Sequence, residues 1–304
     1  MEIHDQILRK IANTLFGNVQ QMDLLGLFNG QLGPALFFYH YSRYINKSIY
    51  AEIASDCIDA IYGEMGVNMP KDFANGMTGV GWAINHLIEH EFIETEDDNI
   101  LEEVDEAVKK MDMMDFINDI SEETPLFSKG LYAIARREPV FIAMALVECK
   151  DFLGKNEIVF PLCYLNSVLY MVIRAYQSGI ESSLCEQLMS AVYQHVTIAL
   201  EKKRNAESDW VTLQHLVRHI GQDISTAANW QLLLNVIEIS QKAFLKSCWN
   251  GFIYGESGLK HVPMSDIQTF VDDIVRDLHY KDLALYSGLS GLGIELIKLN
   301  QTRE

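Results

Sequence analysis

The feature that most constrains this chain is a glycine-punctuated segment that occurs three times. Asn29-Gly30-Gln31-Leu32-Gly33-Pro34-Ala35 lines up with Asn75-Gly76-Met77-Thr78-Gly79-Val80-Gly81, 46 residues on, and both line up with Ser287-Gly288-Leu289-Ser290-Gly291-Leu292-Gly293. A repeat of this length matches one helical hairpin, so the copies predict an array of hairpins. The residues after each opening agree. Gly30–Tyr44, Gly76–Ile93 and Gly288–Leu299 are apolar on nearly every side, the pattern of helices buried all round. Pro34 falls in the first turns of its helix, where a missing N–H costs least.

A second kind of segment alternates with the first. Ser48–Met65 sets Ile49, Ile53, Cys57, Ile61 and Met65 at i+4 spacing. Asn99–Met111 sets Leu101, Val104, Val108 and Met111 on one stripe, with Glu102, Glu103, Glu106 and Lys110 off it. A buried helix followed by a half-wet one, repeated, is what a two-layer helical barrel needs. Residues 127–258 keep the helical pattern with degenerate openings at Gly130-Leu131-Tyr132-Ala133, Leu165-Asn166-Ser167-Val168 and Trp249-Asn250-Gly251. Strand-like alternation is absent, and no linker or composition break divides the chain. The expectation is one all-α domain over residues 1–304, an (α/α) toroid of about six or seven helical hairpins in inner and outer layers.

A glycine at each inner-helix start lets backbones converge at one mouth, where helix N-termini present unpaired N–H groups to a common cavity. Asn29, Gln31, Asn75, Met77, Ser287 and Ser290 are therefore the candidate binding residues, suited to carboxylate or carbonyl groups of a ligand. Tight packing alone would use the same glycines.

Charge narrows the partners. The 304 residues carry a net charge of −18. Between Glu89 and Glu123 stand 15 acidic residues against Lys109 and Lys110 only, which is 13 of those 18 net charges. Such a field repels phosphate backbones and anionic lipid, so neither nucleic acid nor membrane is an expected partner, whereas a basic peptide or protein is tolerated. A solvated acidic face is the plainer reading of such a run. Cys57, Cys149, Cys163, Cys185 and Cys248 are odd in number and never form CxxC, which fits buried thiols in a reducing compartment. With no apolar leader in Met1–Phe16 and no apolar run long enough to span a bilayer, the expected location is cytoplasmic.

On the Asn-Gly and Ser-Gly segments, with Leu27-Phe28 and Asp72-Phe73 ahead of them and Gly81-Trp82-Ala83-Ile84 inside the second, the chain resembles the lanthionine synthetase C-like family. The resemblance covers residues 20–115 and 280–300 best. It implies the toroid and a context of peptide modification. Cyclases of that family close thioether rings with a zinc ion held in Trp-Cys-x-Gly and Cys-His-Gly segments. Neither occurs here. Trp210-Val211-Thr212 puts a valine where a thiolate is needed, and Cys248-Trp249-Asn250-Gly251 has the order inverted. A catalytic zinc keeps three protein ligands with lone pairs, and a valine supplies none. The residues thus argue against a metal and against any other cofactor.

His215 and His219, at i and i+4 with Asp223 four further on, are weak metal candidates. His86 and His90 repeat the spacing and read as exposed polar residues. Asp72, Asp209 and Asp282 stand before helix starts, where they could serve as paired carboxyls of a glycosidase or simply as helix-start residues. The leading expectation is a non-catalytic, zinc-free binder of a peptide or protein. The alternative is an enzyme, either a lanthionine-type cyclase with a relocated metal site or a carbohydrate-active toroid.

Overall fold

Among the residues that the chain's computed structural model describes, every regular element is a helix. The structure describes residues 3–301 apart from 65–68, 96–99, 113–114, 116, 119, 121–124, 156–157, 203–204, 222–223, 236, 238 and 256–257. The helices are α1 (Ile3–Asn18), α2 (Leu32–Ile45), α3 (Ile49–Glu64), α4 (Met77–Glu89), α5 (Glu102–Lys109), α6 (Ser128–Arg136), α7 (Pro139–Leu153) and α8 (Leu162–Gln177). There follow α9 (Ser182–Lys202), α10 (Glu207–Val217), α11 (Ala227–Leu234), α12 (Gln241–Lys246), α13 (Cys248–Tyr254), α14 (Met264–Arg276) and α15 (Leu289–Gln301). No strand occurs among the described residues.

Burial separates two kinds of helix. All of α13 and nearly all of α10 are buried, and α2, α4, α6, α8 and α15 are buried over most of their length. The helices between them bury one face. On the α5 stripe Leu101, Val104, Val108 and Met111 are all buried. On α3, Cys57 and Ile61 are buried, but Ile49, the first residue of the helix, is 53 % exposed; Met65 lies outside the described residues. The buried helices start later than the repeats suggest. Gly30, Gly76 and Gly288 stay in the turns, which fold back so closely that an added Cβ would strike backbone atoms of Leu24–Gly26, of Pro70 and Asp72, and of Asp282 and Ala284 respectively.

The buried helices touch in order, with the half-exposed α12 bridging α10 and α13. α2 packs on α4, α4 on α6, α6 on α8, α8 on α10, α10 on α12, α12 on α13, α13 on α15, and α15 on α2. Hydrogen bonds tie the starts of these helices in the same order. Phe28 N–H donates to Ala74 O at 2.7 Å, and Phe73 N–H to Ser128 Oγ at 2.9 Å. Phe127 N–H donates to Ser167 Oγ at 2.7 Å, Asn166 Nδ2 to Asp209 O at 2.8 Å, and Asn250 Nδ2 to Thr212 Oγ1. Ser287 Oγ donates to Lys246 O at 2.8 Å and Tyr286 N–H to Phe28 O at 3.2 Å. Turns that would otherwise bury unpaired backbone groups are satisfied by their neighbours. Helix α1 covers the far side of α15, where His4 Nε2 meets Leu296 O at 2.9 Å.

The acidic segment is less uniformly wet than its composition suggests. Asp105 accepts both arms of Arg136 at 2.9 Å and the Tyr132 hydroxyl at 2.8 Å, so it is a structural tie between α5 and α6. Lys129, fully buried, meets Glu148 at 2.7 Å and donates to the carbonyls of Lys109 and Met111. An unpaired buried ammonium would be costly, and this pairing removes that cost.

Candidate functional site

A cavity of about 900 Å³ opens beside the glycine turns, between α12, α14 and the start of α10. Its walls carry opposite charge. Lys242 and Lys246, one helical turn apart on α12, face the same space as Asp266 and Asp273 on α14 and Asp277 just beyond its end. Asp273 also pairs with Arg276 at 3.0 Å, whereas neither lysine has a carboxylate within 4 Å among the described residues. Phe270 and Ile274 supply apolar floor. A cavity of this volume with a few convergent polar groups suits a small molecule or a few residues of a peptide.

Two of the residues singled out by the repeats, Asn29 and Ser287, stand on the lip of this cavity. Ser287 is held in the left-handed region (φ 57°) by its bond to Lys246 O, a conformation in which a non-glycine residue is uncommon. Asn75 is joined to Asn29 through Asn29 Nδ2 and Asn75 Oδ1 at 3.2 Å. The other three do not converge with them. Gln31 Nε2 donates to Met22 O at 2.8 Å and faces a separate groove beside Cys57. Ser290 is fully buried, with its hydroxyl donating to Leu283 O, so it closes a turn and presents nothing to a ligand. Met77 is half-buried, and its N–H is taken by Pro70 O at 2.8 Å.

The shared space expected between the helix starts is filled. Phe28 packs edge-on to Phe73 and Trp249 and face-on to Tyr286, with ring centroids 5.0–5.8 Å apart. Phe28, Phe73 and Trp249 are at most 2 % exposed. The aromatic plug pushes the usable volume to the side, where α14 stands away from α10.

The metal candidates separate for a simple reason. α10 stops at Val217, so buried His215 is helical while exposed His219 lies in the turn beyond, and the two do not share a helix face. Asp223 lies outside the described residues. No three His, Cys, Asp or Glu side chains among the described residues are grouped to hold a metal ion. Val211 is fully buried, and Thr212 beside it takes the Asn250 bond that links α10 to α13. Of the three aspartates, Asp72 accepts Asn75 N–H at 2.7 Å and Asp282 accepts His279 N–H at 2.9 Å, both as local turn caps. Burial raises the Asp72 carboxyl, and burial lifts that of Asp209 further, to about 7.

Sequence reasoning missed a histidine pair at the opposite ends of the same helices. His40 Nε2 and His86 Nε2 lie 3.1 Å apart, and His86 stacks on Trp82 at 9°. Burial, with Lys298 and His90 nearby, lowers His40 to about 3, and burial with His40 beside it lowers His86 to about 2. His86 is therefore half-buried against Trp82 and His40, not the exposed residue its spacing with His90 suggested. The repeat contained the signal: eleven residues beyond Asn29, Asn75 and Ser287 come His40, His86 and Lys298. No protein-family model, curated protein or solved structure matches the chain.

Proposed function

We propose that the chain is a zinc-free α/α toroid of the lanthionine synthetase C-like kind that binds a segment of peptide or protein in the cavity beside its mouth, without catalysing its modification. The return of the contacts from α15 to α2 supports the toroid, and pairing each buried helix with the one-sided helix packed on it makes about seven hairpins. The glycine repeats support the kinship. One observation carries the binding role: the cavity sets two lysines without carboxylate partners opposite an aspartate wall, with Asn29 and Ser287 at its lip. A peptide can satisfy both walls with side chains of both signs and leave its amides to the lip, and such complementarity governs choice of partner more than affinity. Val211 and the Asn250–Thr212 tie stand where the resemblance would put ligands, which supports a role without zinc chemistry. The five free thiols, four of them buried, support a reducing compartment such as the cytoplasm.

The test is selection from a displayed peptide library, followed by titration of the selected peptides. Lys242→Glu with Lys246→Glu is expected to weaken them at least tenfold. Peptides that bind the double variant as tightly as the parent would remove the cavity from the reading.

A further inference from the structure

A second cavity, of about 700 Å³, lies at the other end of α2, between that helix, α1 and the end of α15. It inverts the charge of the molecule around it. The chain has 42 acidic and 24 basic residues, yet this cavity is lined by Arg9, Arg43 and Lys47 and by one acid, Asp5. Asp5 is already engaged, since the Tyr44 hydroxyl donates to its Oδ1 at 2.9 Å and Asn300 Nδ2 donates to that hydroxyl at 2.7 Å. Arg43 is engaged too, through Nη2 to the carbonyls of His90 and Glu91 and over the Phe92 ring at 3.8 Å. Arg9 on α1 and Lys47 in the turn after α2 make no side-chain hydrogen bond or ion pair among the described residues, although Arg9 lies near enough to Tyr41 to act on its hydroxyl. Tyr41, Tyr44 and Tyr50 are also in the lining, the last two half-buried.

The geometry points to a site for a phosphorylated planar-ring compound, of which a nucleoside monophosphate is the smallest common form. A guanidinium and an ammonium brought from two chain segments, with Arg43 beside them, outnumber the single carboxylate of Asp5 and fit a compact dianion, and the guanidinium fork suits phosphate oxygens. Tyrosine rings offer stacking surface to a planar heterocycle whatever its substituents. The volume is that of small-ligand sites. The acidity of the rest of the surface rejects long polyanions, so a free small molecule is the matching occupant. The inference rests on different residues from the mouth cavity and stands or falls independently of it.

Calorimetric titration of the full chain with AMP, adenosine and inorganic phosphate tests it. AMP is expected to bind at least tenfold more tightly than either fragment, and to weaken as added salt screens the two cations. The exposed pair Arg9→Gln with Lys47→Gln should raise the AMP Kd tenfold or more with an unchanged far-UV spectrum. If the double variant does not fold, the single variants and the salt series on the parent decide. No AMP binding, AMP binding no tighter than phosphate or adenosine, or binding that ignores both salt and the substitutions would each overturn the proposal.

Discussion

The two ends of the buried helices are built on different principles. At the starting end, backbone holds backbone: glycine turns fold onto one another, N–H groups find neighbouring carbonyls and serines, and an aromatic plug fills the middle. At the finishing end, side chains do the joining, with His40 against His86, Arg43 capping the α4 terminus, and Lys298 nearby over Phe252. The first arrangement tolerates almost no added volume at its glycines, and its backbone bonds involve no group that titrates. The second has room, and its stability depends on which groups carry protons. The comparison teaches that the glycine end fixes the architecture, while the histidine end sets the conditions under which it survives.

The largest effect that could break this comparison is steric. A Cβ at Gly79 would meet the Phe73 carbonyl and the Leu27 Cβ, and one at Gly291 would meet the Leu285 carbonyl and the Trp249 Cβ. Gly79→Leu and Gly291→Leu are each expected to cost about 1–3 kcal/mol through overpacking, read as a lower melting temperature. Unchanged melting in both would mean the glycine end is not the rigid one. Next comes the acid limb. His40 and His86 stay neutral in the fold, with pKa values held far below the ordinary 6.5. Stability should therefore be full above that value and fall as pH drops from about 6.5 toward 3. Replacing both histidines with Gln should flatten the fall in a denaturant series across that range, and an unaltered slope would relocate the pH sensitivity.

Asp209 sharpens the contrast, because it is the exception at the glycine end. Its carboxyl is raised from 3.8 to about 7 by burial, so the fold favours its protonated form. The penalty for ionising it is absent below about pH 4, grows through 7 and is complete above that. Asp209→Asn should thus stabilise the protein at pH 8 and make no difference at pH 4. Stabilisation of equal size at both values would point to packing instead. The smallest effect belongs to the outer layer. Reversing Glu102, Glu103 and Glu106 to Lys should shift stability by no more than about 0.5 kcal/mol per site, since these are surface charges. Leaving Asp105 in place is essential to that result, because Arg136 and Tyr132 depend on it. If a basic partner is found by pull-down, the same reversal should weaken it, and more so at low salt.

The helical class and the alternation of buried with one-sided helices were legible because hydrophobic periodicity survives without knowledge of neighbours. The α5 stripe lies buried as its spacing required. Helix ends were less legible, since whether Gly30 or Leu32 begins α2 depends on how closely the turn of Leu24–Gly26 approaches. Of the six candidate site residues, the repeat could mark equivalent positions but could not say which would face a cavity. That is decided by Phe28, Trp249 and Tyr286 filling the centre and by α14 standing off to one side. His215 and His219 failed as a pair because nothing in Leu216-Val217-Arg218 announces that the helix stops there.

The contact between α1 and α15 has a consequence for how the molecule comes into being. His4 and Leu296, which meet at 2.9 Å, stand 292 residues apart, and the turn of Tyr286 must find that of Phe28 across nearly the same interval. During synthesis the apolar flanks of α1 and α2 therefore emerge from the ribosome long before the helix that covers them exists. Closing so long a loop is a slow, late event, and until it occurs the nascent chain exposes surface that invites aggregation. Exposure of α1 and α2 until Leu289–Gln301 has been made is thus built into the contacts of α15 with both, and truncation before Leu289 is expected to leave the two helices uncovered.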